Sequence, residues 1–262
     1  PSAYTKQVAA GVTPSLLTEA RLKPRNETGG TNYYSQNFGW QTMLASLPGR
    51  SGMDAGLGLG YNSLVWTKVD NAVVFDPDRN TVTPGFQIGF PVIEPMHYDP
   101  SIKTAGFLMV SNDGTRHQFR QFKAANNLYT ADSTHYRLTT VGNSHPNDPV
   151  EDVLLKLLTT DGTVMLFEWK LGAYRCTKVT DRNGNYITAT YNATGDLTAI
   201  ADTAGRTLSI AYNASGYPTT IKQLWQGSNG SGGTYEHTWA TLSYTTKSVN
   251  TAFSAEIGRA HV

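Results

Sequence analysis

The sequence predicts an all-β protein, a hairpin-rich assembly of β-sheets that leads into stacked β-hairpin repeats. Three observations support this fold class. A 21-residue segment occurs twice in succession, its apolar residues alternate with polar ones, and two Asp-Gly pairs elsewhere each separate apolar runs. The chain has 262 residues, of which 39% are hydrophobic, so it is large enough to bury a core between such sheets.

The repeated segment covers residues 181–200 and returns, shifted by 21 residues, at 202–221. Ile187, Ala189 and Tyr191 alternate with threonines, which is the period of a strand with one buried face. Asn-Ala-Thr-Gly and Asn-Ala-Ser-Gly then predict tight turns, because Asn bonds its own backbone and Gly adopts positive φ. The repeat motif, to which we assign a structural role, consists of Asp181, Gly184, Tyr191, Asn192, Gly195, Asp202, Gly205, Tyr212, Asn213 and Gly216.

A unit this short cannot bury its own apolar face, so about three or more stacked copies are expected in a stable array. Two clear copies are present. We therefore expect the array to continue past residue 256 in the intact gene, and Leu208, Ile210 and Tyr212 to lack part of their cover. Residues 257–262 read IGRAHV, which, when written as the codons ATC GGA AGA GCA CAC GTC, resembles the start of a common sequencing adaptor. We therefore predict that they are a non-native tail.

Upstream of the repeats, two hairpins are predicted with tips at Asp113-Gly114 and Asp161-Gly162. The sequence LGLGYNSLVW, residues 57–66, predicts a strand thinned by glycines. The start of the chain shows no sustained helical period. The predicted domains are a flexible tail or linker at 1–30, an amino-terminal β region at 31–175, the repeats and following strands at 176–256, and the non-native tail at 257–262.

The composition excludes several classes of partner. Charged residues make up 16% of the chain and the formal net charge is +1, so we expect no nucleic-acid partner. No apolar run approaches the length of a membrane span, so we expect no membrane insertion in this segment. The single cysteine, Cys176, excludes an internal disulfide and is predicted to be a buried, unreactive thiol.

No arrangement of polar residues predicts chemistry. The six histidines lack metal-ligand spacing. Residues 151–152 (Glu-Asp), or Glu168 with Asp161, could be offered as a glycosidase pair, but isolated acids on strands and turns are the commoner case. Segments 76–80 and 181–185 begin like calcium loops, yet both lack the required glycine and final acid. We therefore predict no catalytic residue, no metal site and no cofactor, in a protein that is not an enzyme.

Residues 179–221 resemble the YD/RHS-repeat family, whose core is a Tyr-Asp/Asn-x-x-Gly turn followed by a Leu-Thr-x-Ile strand. The upstream sequence LPGRSGMDAGLGLGYNSLVWT is similar to the region that precedes the repeats in bacterial members, within a looser match over 38–175. In this family the repeats spiral into a hollow β-shell around a cargo polypeptide, or form cell-surface assemblies. The family's carboxy-terminal core, which holds a self-cleaving aspartate before a variable toxin or effector, has no counterpart in this sequence.

The resemblance implies a non-enzymatic structural scaffold, the amino-terminal fragment of an exported bacterial protein that forms a β-shell or cell-surface assembly for toxin or effector delivery. Its location would be extracellular or at the cell surface. Its partners would be the remainder of its own chain, namely further repeats and an enclosed carboxy-terminal cargo. The alternative is a carbohydrate-binding or adhesive cell-surface module, since the five Trp and fourteen Tyr residues could form sugar-stacking platforms.

Overall fold

The computed structural model describes residues 8–12, 28–31, 38–63, 66–69, 72–75, 82–83, 85–96, 106–121, 127–141, 153–226 and 234–246. Within these ranges the chain forms strands and one short 3-10 helix, Arg50–Gly52, which confirms the predicted all-β class. The first ten strands are β1 (Val8–Val12), β2 (Thr28–Thr31), β3 (Phe38–Leu47), β4 (Ala55–Asn62), β5 (Trp66–Val69), β6 (Ala72–Phe75), β7 (Phe86–Ile88), β8 (Val92–Pro95), β9 (Phe107–Val110) and β10 (Arg116–Gln121). The following ten are β11 (Asn127–Thr130), β12 (Arg137–Val141), β13 (Leu154–Leu158), β14 (Val164–Lys170), β15 (Ala173–Thr180), β16 (Tyr186–Tyr191), β17 (Leu197–Asp202), β18 (Thr207–Tyr212), β19 (Pro218–Gln226) and β20 (Thr234–Thr246).

Strands β8 to β15 form a closed antiparallel sheet. Each strand pairs with the next one along the chain, and β15 returns to β8 through the pairs Tyr174↔Ile93 and Arg175↔Val92. Closure encloses a first apolar core, because alternate side chains of every strand point inward. This core consists of Ile93, Met109, Phe119, Leu128, Leu138, Leu155, Leu157, Phe167, Tyr174, Cys176 and Val179.

Both predicted Asp-Gly hairpins are confirmed. Asp113 and Gly114 lie in the turn between β9 and β10, and Asp161 and Gly162 in the turn between β13 and β14. Each turn spans five residues closed by a backbone hydrogen bond, and its glycine has positive φ, 79° and 88° respectively. Asp-Gly therefore occupies the third and fourth positions of this five-residue turn. Turns with the same backbone hydrogen bonds occur in the repeats.

The turn between β14 and β15 has only two residues, Leu171 and Gly172. Both have positive φ, 43° and 81°. Glycine adopts this region freely, whereas a side chain with a Cβ atom loses about 1–2 kcal/mol there. The Leu171 side chain is 69% exposed and so contributes little packing in return.

We expect Leu171→Asn to raise the free energy of unfolding by about 1 kcal/mol, because asparagine tolerates left-handed backbone in a two-residue hairpin turn. Urea unfolding of the whole chain measures the change. Leu154→Asn is the matched control, since Leu154 is also exposed but lies within a strand, where asparagine gives no such gain. A Leu171→Asn protein no more stable than wild type would contradict this account of the turn.

From β15 the sheet continues outward as an open antiparallel sheet. On one side β15 pairs with β14. On the other side residues 174–175 pair with β8 and close the sheet, whereas residues 178–180 pair with β16. Strands β16 to β20 then follow in chain order, and β1 pairs with β20 along the far edge. Strand β1 and most of β2 lie within the segment 1–30, for which the sequence predicts a tail or linker. That segment is therefore partly strand.

A four-stranded sheet in the order β2-β3-β4-β7 packs on one face of the open sheet, and β5 and β6 pair separately. Strand β4 corresponds to the glycine-thinned strand predicted at 57–66. A second apolar core lies between the two sheets. It consists of Leu44, Ala45, Leu47, Ala55, Leu57, Leu59, Val82, Ile88, Ile187, Leu197, Ile200, Leu208, Ile210, Ile221 and Ala240, with Tyr212 among the partly buried side chains around it.

The expectation of an incompletely covered repeat is wrong. Leu208 and Ile210 of β18 are buried, because the four-stranded sheet covers their face and β17 and β19 flank the strand. The edge beyond β20 is also paired, because β1 supplies the neighbouring strand. The chain thus provides the cover for its repeats from its own preceding strands, rather than from further repeats.

The turn between β9 and β10 packs onto β4 and connects the two cores. The Asn62 side chain donates to the Asp113 carbonyl oxygen at 3.1 Å. A methyl group at Gly60 would lie 1.8 Å from the Asn112 carbonyl oxygen, so this approach requires glycine. Met53 and Phe90 contact both cores. We call the open sheet and the four-stranded sheet, with the core between them, the sandwich. The closed sheet therefore packs against the sandwich at β4.

Candidate functional site

The four turns of the repeats share one hydrogen-bonding arrangement. In each turn, the side-chain oxygen of the first residue accepts from the backbone N–H groups two and four residues later, at 2.8–3.0 Å. The fourth residue is glycine, with φ between 77° and 84°. The motif polar side chains are thus bound to their own backbone. The first residues are Asp181, Asn192, Asp202 and Asn213, and the glycines are Gly184, Gly195, Gly205 and Gly216.

The Asp202 turn also contacts the loop between β3 and β4. Burial of the Asp202 carboxyl opposes its ionisation, but hydrogen bonds and charge from Arg206 outweigh burial, so its pKa lies below the usual range. Arg206 donates to Asp202 at 2.5 and 2.8 Å and to the Pro48 carbonyl oxygen at 2.6 Å. A cavity of about 350 Å³ lies beside these groups. Arg206, which lines this cavity, is thus paired with both the Asp202 turn and the loop between β3 and β4.

Three tyrosine hydroxyls each form a hydrogen bond between the two strands of a hairpin, at the end opposite the turn. Tyr191 donates to the Cys176 carbonyl oxygen at 2.8 Å, and Tyr212 donates to that of Leu197 at 2.8 Å. Tyr244 of β20 makes the same contact with the Pro218 carbonyl oxygen at 2.6 Å. Each carbonyl lies on the neighbouring strand, past the last paired residues of the ladder. We call Tyr191, Tyr212 and Tyr244 the tyrosine clamps.

The third clamp was not predicted from the sequence. Tyr244 follows a buried Leu242 by two residues, just as Tyr212 follows Ile210, and this spacing is the signal that identifies it. The longer connection between β19 and β20 displaces Tyr244 from the 21-residue period. Burial raises the pKa of all three phenols, so each stays a neutral donor at physiological pH.

The hydroxyl of each clamp is expected to contribute to stability separately from the packing of its ring. Tyr191→Phe, Tyr212→Phe or Tyr244→Phe should each lower the free energy of unfolding by about 1–2 kcal/mol, because each leaves a carbonyl without its donor. Urea unfolding tests this, with Tyr129→Phe on the exposed side of β11 as the control. Losses below about 0.3 kcal/mol at all three positions would show that the hydroxyls are not structural.

The thiol considered for nucleophilic chemistry is buried, as predicted. Cys176 is fully enclosed in the closed sheet, and burial raises its pKa to about 12. Its Sγ atom lies 3.7 Å from the Lys178 carbonyl oxygen. A thiolate is the reactive form of cysteine, so a thiol with this pKa is unreactive near neutral pH.

The acids considered for glycosidase chemistry have separate partners. Glu168 pairs with Lys170 at 3.2 Å, whereas Asp161 accepts hydrogen bonds from Thr159 and Thr163 within its own turn. Residues 151–152 and 76–80 lie outside the described residues. In the described ranges, no three His, Cys, Asp or Glu residues are grouped to hold a metal ion. Of these candidates, the two that the structure describes, Glu168 and Asp161, therefore have different partners rather than each other.

A His–Asp pair, which the sequence did not predict, connects β10 to the turn between β11 and β12. Nδ1 of His117 lies 2.5 Å from Oδ2 of Asp132. Thr134 donates to Asp132 from its hydroxyl at 2.6 Å and from its backbone N–H at 3.1 Å. Burial opposes the ionisation of Asp132, but the hydrogen bonds from Thr134 and His117 outweigh it and lower its pKa to about 2. Because the Thr134 hydroxyl bonds to Asp132 rather than His117, the nucleophile–base contact of a hydrolase is not formed.

The depressed pKa of Asp132 predicts a loss of stability in acid. The carboxylate stabilises the fold fully above its usual pKa of 3.8, and this contribution disappears as the pH falls through about 2. With 37% of the side chain exposed, solvent screening reduces the effect to about 1 kcal/mol. Asp132→Asn should therefore be about 1 kcal/mol less stable than wild type at pH 5.5, and this deficit should shrink near pH 2 in urea unfolding. An equal deficit at both pH values would contradict the assignment.

Comparison of the chain with known protein families and with curated proteins finds no match in either. Among the described residues, no helix is long and apolar enough to span a membrane. The polar side chains that recur in the described residues are those of the repeated turns and the tyrosine clamps. These side chains form hydrogen bonds with backbone groups.

Proposed function

We propose that this chain is a non-enzymatic structural scaffold, a wall of β-hairpins in an exported bacterial protein of the YD/RHS-repeat type. Such a protein would form a β-shell or cell-surface assembly that encloses or displays the remainder of its own chain, including a toxin or effector. The observation that supports this proposal is the recurrence of one clamp in three successive hairpins, β15–β16, β17–β18 and β19–β20. Repetition of a structural contact is typical of proteins built by stacking identical units.

The polar residues of the repeats support the same interpretation. Their side chains accept from turn N–H groups or donate to strand carbonyls of the same hairpin. Strands β15 to β20 lie in chain order, so each hairpin pairs with the edge of the one before it, and β1 pairs with the edge after β20. On the face away from the four-stranded sheet, the small residues Thr190, Ala199 and Ser209 lie in register across three strands. Lys222 follows Ser209 in the same row, so the surface of small residues covers β16 to β18, where an enclosed polypeptide could approach the sheet closely.

Limited proteolysis of the protein expressed from the complete gene tests the scaffold function. In the wild type, a polypeptide encoded after the hairpins should resist protease, because the wall encloses it. The combined change Tyr191→Phe, Tyr212→Phe and Tyr244→Phe should open the hairpin ends and speed its cleavage at least tenfold, whereas Tyr129→Phe should leave the rate unchanged. Cleavage in the wild type as fast as in the isolated polypeptide would overturn the proposal.

A further inference from the structure

The hairpin of β19 and β20 carries a row of aromatic side chains that the tyrosine clamps do not use. Trp225 and Tyr235 lie opposite each other on the two strands, with ring centroids 6.5 Å apart and planes within 16° of parallel. His237 follows at 6.3 Å from Trp225, and Trp239 contacts His237 edge-on at 5.0 Å. We call Trp225, Tyr235, His237 and Trp239 the aromatic strip.

The aromatic strip continues the apolar face of the sandwich beyond the point where the four-stranded sheet covers it. Ile221 and Ala240, which pair across the hairpin, are buried in the second core. Trp239 packs against the edge of that core, and farther along the hairpin Trp225 and Tyr235 are 43% and 47% exposed. Exposure thus increases steadily away from the core, and the strip ends in two large rings in solvent.

Contacts within the hairpin position the inner part of the strip. Trp239 donates its indole N–H to Oε1 of Gln223 at 3.2 Å, and the same indole supports His237. At a separation of 6.5 Å, Trp225 and Tyr235 cover little of each other, and their parallel planes give their exposed surfaces one orientation. Aromatic side chains have only two rotatable bonds, so they bind a ligand with little loss of conformational entropy.

The chemistry around the rings distinguishes among ligand classes. In the described part of the hairpin, the positions on the face of the strip beyond Ile221 are aromatic or polar, with Gln223 and His237 between the rings. The exposed aliphatic residue, Leu224, lies on the opposite face, so an aliphatic helix would find no matching contacts. Lys222 also lies on that opposite face, where it pairs with Glu236 at 2.7 Å. A stacked nucleic acid would need cations along its backbone, and this face does not provide them.

We propose that the aromatic strip is a carbohydrate-binding site for neutral pyranose chains. A sugar ring combines apolar and polar surfaces as the strip does. Its C–H faces are apolar and its hydroxyls lie around the rim. The C–H faces would stack on Trp225 and Tyr235, whose exposed surfaces are apolar and similarly oriented. The hydroxyls would bond to the imidazole of His237 and the amide of Gln223, which lie in the same row.

Titration of the whole chain with defined oligosaccharides tests the site. The probes are the hexamers of β-1,4-linked glucose, β-1,4-linked N-acetylglucosamine and α-1,4-linked glucose, with a twelve-residue thymidine oligonucleotide as the competing ligand class. Binding is followed by tryptophan fluorescence and by isothermal calorimetry. At least one hexamer should bind with a Kd on the order of 0.1–1 mM, more tightly than the oligonucleotide.

The variants Trp225→Ala and Tyr235→Ala should each weaken binding of that hexamer at least tenfold. Both side chains are exposed, so the variants should keep the circular dichroism spectrum and urea midpoint of the wild type. Tyr129→Ala, which removes an exposed aromatic ring from the closed sheet, is the matched control and should bind like wild type. Failure of all three hexamers to bind folded wild-type protein, unchanged binding by both strip variants, or preference for the oligonucleotide would overturn the proposal.

Discussion

Replacing Gly60 with alanine is expected to lower the free energy of unfolding by about 3–5 kcal/mol. The new methyl group would lie 1.8 Å from the Asn112 carbonyl oxygen and 2.8 Å from its carbonyl carbon. Both are backbone atoms in a tight turn, so they cannot rotate away. The turn between β9 and β10 would have to leave β4, and the hydrogen bond between Asn62 and Asp113 would be lost with it.

A matched control lies two residues away on the same strand. A methyl group at Gly58 would meet the Asn112 side-chain nitrogen at 3.2 Å, and that side chain can move. Gly58→Ala should therefore cost less than about 1 kcal/mol. Urea unfolding followed by tryptophan fluorescence compares the two variants. Equal losses for Gly58→Ala and Gly60→Ala would show that the two regions are not packed as described.

Leu155→Ala should have a similarly large effect, a loss of about 3–4 kcal/mol. Leu155 is fully buried in the closed sheet, where Leu157 and Phe167 belong to the same core. Removing its side chain leaves a cavity that strands of a closed sheet cannot easily collapse to fill, so both burial and packing are lost.

The neighbouring residue provides the control for this cavity. Leu154 has the same side chain one position earlier in β13, but it points outward and is 40% exposed. Leu154→Ala should cost less than about 1 kcal/mol, because the lost contacts are mostly with solvent. A loss at Leu154 equal to that at Leu155 in urea unfolding would contradict the assignment of one to the outer face and the other to the core.

The parts of the fold that the sequence predicted correctly depend on residues close together in the chain. The tips at Asp113 and Asp161, the strand around Leu57 and Leu59, and the alternation in the repeats all follow from local turn chemistry and two-residue periodicity. Such signals lie within about ten residues of each other. They specify hairpins without specifying which hairpins meet in space.

The parts that were missed depend on contacts distant in sequence. The pairing of β1 with β20 places the first strand on the last, and no local pattern indicates it. The predicted lack of cover over Leu208 failed because the covering strands precede Leu208 by more than a hundred residues. The strand of Gly60 was predicted to be thinned by glycines, but the reason is the approach of Asn112, which only the tertiary structure shows.

The candidate site was predicted unevenly for the same reason. Asp181, Asn192 and their glycines were identified because turn residues act within four positions. The role of Tyr191 depends on the Cys176 carbonyl oxygen across the sheet, and the pairing of His117 with Asp132 depends on the approach of β10 to the turn between β11 and β12. A polar residue satisfied by a distant backbone atom has no signature of its own in one sequence.

The pairing of β8 with β15, which closes the sheet, also predicts an order of folding. Its hairpins join strands that are neighbours in the chain, and such contacts form within about microseconds. The pairing of β8 with β15 must join Ile93 to Tyr174 across the whole closed sheet, and it contains only two paired positions. We therefore expect this seam to be the last part of the ring to form and the first to separate. Hydrogen exchange would detect its opening as loss of protection at β8 and the start of β15 while the hairpins stay protected, and such opening would admit water to Phe119 and Phe167.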